Sequence, residues 1–240
     1  MLAREAVVFG IALLATAIMG IIEKRPFGTY LLPLRSAFKG NFWWGALWGG
    51  AAITALLVPL RLDHGFSFGP LALGGWKVAG DAALWALVFT AVGLSEEFTF
   101  RGYALYTLTR GMGFWPAALV LSGAFGAVHL GNPGEDWVGA LSAALIGLFF
   151  CFTVRRTGTL WLAAGLHAAW DYAETFVYSV PNSGLVARGH LLKSSFHGPA
   201  WLTGGSVGPE GSVFVFAVIA ALFVALQLCY PRARFPEPRL

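Results

Sequence analysis

Apolar residues occupy this chain in long runs with very few charges between them, each long enough to match the hydrocarbon thickness of a bilayer at about 18 residues or more. About seven such segments lie at about 6 to 22, 40 to 60, 82 to 108, 114 to 130, 137 to 154, 158 to 178 and 211 to 230, with ends that float by several residues. The pattern predicts an all-α fold: a polytopic transmembrane helix bundle of about seven spans, six to eight, forming a single integral membrane domain over residues 1–240. No internal repeat is evident. Residues 179–210 form a long connection rich in Gly, Pro and Ser. Connections of that length are functional or disordered, and its Trp, Leu and Phe content favours an ordered lid or re-entrant piece.

Composition agrees with the pattern. The chain is 57% hydrophobic and 12% charged, roughly half the charge of a soluble domain. A net charge of +4 could point to nucleic acid, but the cations sit at the ends of apolar runs and not in one patch. That placement reads as topology and excludes a nucleic-acid partner. With the first loop in the cytoplasm, Lys24, Arg25, Arg35, Lys39, Arg110, Arg155, Arg156, Arg232, Arg234 and Arg239 fall on the cytoplasmic side, and Arg4, Arg61, Lys77, Arg188 and Lys193 on the other. The bias predicts an outside N-terminus and a cytoplasmic C-terminus. Ala15-Thr16-Ala17 has the look of a signal-peptidase site, but the basic flank follows the run instead of preceding it, unlike a cleaved signal. Cys151 and Cys229 each lie in an apolar run and signal neither a disulfide framework nor a thiolate metal site. Trp43, Trp44, Trp115, Trp137 and Trp161 stand near segment ends as interfacial anchors, and Gly45, Gly49 and Gly50 allow close helix packing.

Against this background a few polar residues stand out. Segment three carries Ser95-Glu96-Glu97 and then Arg101, and charges in hydrocarbon require partners. Glu97 and Arg101, four apart, share a helical face and form an ion pair, with Glu96 turned about 100° away toward another neighbour. Segment four ends Phe125-Gly126-Ala127-Val128-His129, and segment six holds His167 and Asp171. Each i, i+4 pair lies on one face, so Asp171 can accept from His167 and fix its tautomer. At 1.5 Å per residue, Glu96 and His129 lie about 21 Å from the cytoplasmic ends of their helices, and His167 and Asp171 about 14 and 20 Å from theirs. The groups can therefore share one layer if the three helices pack together.

Each residue also has a plain structural reading: a lone histidine as a hydrogen-bonding core residue, Glu97 with Arg101 as a structural ion pair, Phe125 as packing around His129. A buried acidic pair with two histidines at matching depth is harder to explain as core polarity, and it marks a functional site. Proton relays use the same residue types, so an ion- or proton-coupled transporter, or a non-catalytic scaffold, remains the alternative. A transporter would be expected to show matched repeats.

In these motifs the sequence resembles the CPBP or Abi family, the CAAX prenyl endopeptidase and bacteriocin-processing group of intramembrane proteases. Its ordered set is Glu-Glu-x-x-x-Arg, Phe-x-x-x-His and His-x-x-x-Asn/Asp, here Glu96-Glu97-x-x-x-Arg101, Phe125-x-x-x-His129 and His167-x-x-x-Asp171. The likeness covers a core of about residues 80–178. It implies an endopeptidase acting on a membrane-associated protein or peptide. With the size of the chain, it also implies the plasma (inner) membrane of a prokaryote. Asp171 replaces the Asn of the prenyl-protein enzymes, so the resemblance does not single out prenylated substrates. On this reading Glu96, assisted by His129, activates water, His167 with Asp171 holds the water or the oxyanion, and Glu97, Arg101 and Phe125 support them. A metal version would use Glu96, His129 and His167 as zinc ligands, and a metal-free mechanism fits the residues as well.

Overall fold

The computed structural model describes residues 1–235, so Arg239 of the cytoplasmic set lies outside the described residues. Each apolar run coincides with helix: α1 (Leu2–Ile22), α2 (Gly40–Leu62), α3 (Trp76–Arg101) continuing into α4 (Tyr103–Met112), α5 (Phe114–His129), α6 (Trp137–Thr157), α7 (Trp161–Tyr172), and, after the short α8 (Ala200–Thr203), α9 (Val213–Cys229). The all-α expectation is borne out, with 70% helix and little strand. Among the described residues, α1, α2, the α3–α4 stretch and α6 are long and apolar enough to cross a membrane, and α5 and α9 are shorter apolar helices.

Two runs differ from expectation for local reasons. Run three starts earlier, at Trp76, and breaks at Gly102, whose ψ of −115° leaves the helical region. A side chain at Gly102 would collide with the Phe98 carbonyl, so the kink is open to glycine alone. Run six starts late because Gly158, at φ +75°, closes α6 in the left-handed conformation. After Tyr172 it winds into a π-helical turn, Ala173–Val177, a geometry that recurs at functional sites.

Helix α7 is the centre of the bundle, with ten of its residues buried. Helix α2 lies against it through Gly45 and Gly49, where a Cβ would collide with the carbonyls of Leu162 and Leu166. Helix α3 approaches from another side at Gly93, where a Cβ would stand 2.8 Å from the Ala164 oxygen. Small residues thus bring backbones together as expected in lipid. Gly50 is different: nothing lies within 4 Å of its Cβ position, so it takes no part in the packing. Trp161 also departs from the anchor role, being 2% exposed and donating its indole N–H to the Pro33 carbonyl, whereas Trp43, Trp44, Trp115 and Trp137 are exposed.

One end of the bundle is covered by connections. Strand β1 (Phe66–Ser67) pairs antiparallel with β2 (Ser195–Phe196), Phe66 opposite Phe196, and Leu71 bridges to Leu192. The 179–210 connection is ordered: it carries β2, α8 and most of a 3-10 turn at Pro209–Gly211, and it buries Leu202 and Val207.

Candidate active site

Three helices deliver the polar residues to one place. Glu96, His129, His167 and Asp171, with Phe125, line a single cavity of about 550 Å³. Glu97 and Arg101 lie behind its wall, both fully buried. Helix α3 therefore divides its adjacent glutamates as the 100° offset requires. Glu96 faces the cavity and Glu97 faces the core.

Glu97 Oε1 accepts from Arg101 Nη1 at 3.1 Å, which is the expected i, i+4 ion pair. The same oxygen lies 2.9 Å from His167 Nδ1, which donates to it. Here the structure differs from the sequence expectation, in which Asp171 holds His167. The histidine rotamer turns Nδ1 toward α3, and Asp171 Oδ2 is left 3.6 Å from Nε2, beyond hydrogen-bond range. Glu96 Oε2 lies 3.9 Å from the same Nε2. A proton on either ring nitrogen thus has a carboxylate near it. The ring is also fixed by stacking on Phe150 of α6, at 5.2 Å between centroids and 14° between planes.

Arg101 is held by more than its carboxylate. Its guanidinium lies 4.2 Å from the Phe125 ring centroid and within 6 Å of Phe100 and Phe150, a cation–π enclosure that stabilises a desolvated charge. Phe125 therefore packs on both Arg101 and His129, the latter at 4.6 Å between centroids. His129 Nδ1 donates to the Phe125 carbonyl at 2.7 Å. That bond sets the tautomer and leaves Nε2 as the acceptor.

Carboxylates and imidazoles are donors that zinc accepts. Among the described residues, however, no group of three or more His, Cys, Asp or Glu side chains is arranged to hold a metal ion. The trio Glu96, His129 and His167 shares a cavity without forming such a group.

Residues 77–173 match the family model of the type II CAAX prenyl endopeptidases, Rce1-like. This segment is Rce1-like. The match spans about two-fifths of the chain and contains every motif residue from Glu96 to Asp171. It bears out the resemblance to the CPBP or Abi membrane proteases. No curated protein and no solved structure matches the chain.

Several polar residues that sequence reasoning passed over also meet the cavity. Asn132 and Ser142 lie inside the Rce1-like segment, and Thr175, Asn182, Ser183 and Glu210 beyond it. Glu174, fully buried in the π turn, accepts from Trp170 Nε1 at 3.0 Å. A signal existed for two of them: Glu174 is a carboxylate within an apolar run, and Glu210 is the single acidic residue of 179–210. Nearby, in the α5–α6 connection, burial pushes the Glu135 carboxyl up to about 7, opposed by a hydrogen bond from the Asp136 amide and reinforced by the charges of Glu210 and Asp136.

Proposed function

We propose that this protein is an intramembrane endopeptidase that hydrolyses a peptide bond of a membrane-associated protein or peptide. The observation that carries the reading is the convergence of Glu96, His129 and His167, from three helices, on one cavity within a protease-family segment. Glu96 is the general base. It takes a proton from water, and the hydroxide attacks the scissile carbonyl carbon. His129, with Nε2 free to accept, shares that proton and returns it to the departing amine, so the bond cleaved is C–N and the proton count closes. His167, held at Nδ1 by Glu97, donates from Nε2 to the oxyanion as it forms. Asp171, 3.6 Å from that nitrogen, stabilises the charge His167 carries. These steps use the side chains alone; a zinc ion, if bound, would be held by Glu96, His129 and His167 and would supply a polarised water. Apolar residues lining the same cavity, among them Phe89, Val92, Ile146 and Ile219, suit an extended apolar stretch of substrate. The cation distribution favours an outside location for the N-terminus and the capped end, and the family likeness with the size of the chain supports a prokaryotic plasma membrane.

The test compares protein termini in membranes from cells producing the wild type and Glu96→Gln at equal levels. Termini present only with the wild type are expected. Identical sets of termini would overturn the reading.

A further inference from the structure

The 179–210 connection contributes Asn182, Ser183, Leu185 and Glu210 to the cavity lining, and one side chain near its end reaches in two directions. Glu210 Oε1 accepts from the indole Nε1 of Trp170 at 3.1 Å. Its other oxygen accepts from Ser183 twice, at 2.9 Å from the amide and 2.6 Å from the hydroxyl. Trp170 is buried and stands on α7 between His167 and Asp171. Ser183 lies in the cap, and Glu210 and Ser183 both line the cavity. The carboxylate therefore ties the covering segment to the helix that carries the chemistry.

The surrounding contacts make this tie a clamp and not an incidental bond. Ser183 also offers its carbonyl to Asn132 Nδ2 at 2.9 Å, three residues beyond His129. Gly184 N–H donates to the Val207 carbonyl, and Ser206 Oγ to the Gly134 carbonyl. The segments at 132–134, 182–185 and 206–210 are thus knitted together beside the cavity, and Glu210 joins that knot to α7. Beneath it Glu174 accepts from the same indole N–H, so that one hydrogen is shared between two carboxyl groups. Ser183 has a positive φ of 43°, a conformation a non-glycine residue keeps only where its surroundings enforce it.

The geometry points to Glu210 as a positioning residue that clamps the cap shut over the cavity, setting substrate retention through Ser183 and the seat of α7 through Trp170. Its kinetic consequence rests on the peptidase reading, whereas its structural consequence does not.

Amide hydrogen exchange over residues 182–187, measured on the purified full-length protein in detergent, tests the clamp. Loss of a hydrogen bond to a charged group corresponds to about tenfold or more in local opening. Glu210→Ala is expected to exchange about tenfold faster there, Glu210→Gln to fall between it and the wild type, and Glu96→Gln to match the wild type. If Glu210→Ala does not fold, Ser183→Ala removes the hydroxyl bond of one arm and Trp170→Phe the whole of the other, and each is expected to give a smaller increase at the same amides. Wild-type exchange in all the clamp variants would overturn the proposal. With a cleavable peptide, Glu210→Gln is expected to raise KM more than it lowers kcat, and the reverse pattern would count against the clamp. Faster exchange in a protein that cleaves nothing would leave the clamp standing and remove the peptidase reading.

Discussion

Glu97 Oε1 serves His167 and Arg101 at once, at 2.9 and 3.1 Å, so one buried oxygen links the cavity to the charge that holds its wall. Removing it has two separable effects. Glu97→Ala leaves the fully buried Arg101 without its carboxylate, at an expected cost of about 3–5 kcal/mol. Exchanging both partners for apolar residues, Glu97→Leu with Arg101→Met, is expected to recover most of that stability. Activity should stay low in the double variant, because His167 has lost the acceptor that fixes Nδ1. Thermal melting beside a cleavage assay separates the two, and full activity in the double variant would refute the orienting role of Glu97.

Adjacent glycines in α2 give opposite expectations. Gly49→Ala drives a Cβ into the Leu166 carbonyl and is expected to destabilise by about 1–3 kcal/mol as α2 is pushed from α7. Gly50→Ala meets nothing within 4 Å and is expected to be neutral or to stabilise by up to about 1 kcal/mol through helix propensity. Equal melting temperatures for the two variants would contradict the packing described.

Glu135 sets a pH dependence. Its carboxyl titrates at about 7 in the folded chain, against 4.5 ordinarily. The folded state therefore holds the proton more tightly, and stability falls as pH rises between those values and is level above them. The group is half-buried, so solvent screening reduces the effect to about 1 kcal/mol. Glu135→Gln, which mimics the protonated form, is expected to melt with the wild type at pH 4 and about 2–4 °C above it at pH 8. Parallel melting curves at both pH values would exclude this role.

Chelation tests the metal-free reading of the cavity. The cavity donors are not grouped as a metal site among the described residues, so cleavage by the purified protein is expected to survive EDTA within about twofold, well short of the 10²–10⁴-fold that acid–base catalysis contributes. Loss of activity restored specifically by zinc would replace the glutamate mechanism with the alternative trio of ligands.

Much of the site was readable because buried charge is so costly. Glu96, Glu97, Arg101, His129, His167 and Asp171 stand out against apolar runs, and helical spacing alone sends Glu96 and Glu97 to different sides of α3. What spacing could not supply was the choice between partners on different helices. His167 has Asp171 one turn away, yet its Nδ1 turns to Glu97, seventy positions distant, because rotamer and helix contact decide that bond. Ser183 was hidden for a similar reason, and Glu210, although the single acidic residue of 179–210, gave no sign of its partners: in a loop without periodicity nothing local shows which side chain returns to the bundle. The helices themselves were legible from the apolar runs, whereas the break at Gly102 and the π turn at Ala173–Val177 leave no mark in composition.

Helix α7 is short and buried along nearly all its length, leaving it almost no surface for acyl chains to touch. When the bilayer thins or thickens, the outer helices absorb the mismatch by tilting. Helix α7 meets those helices through the close glycine contacts of α2 and α3, so the bilayer acts on His167 only at second hand. Helix α7 is in this sense screened from direct contact with lipid.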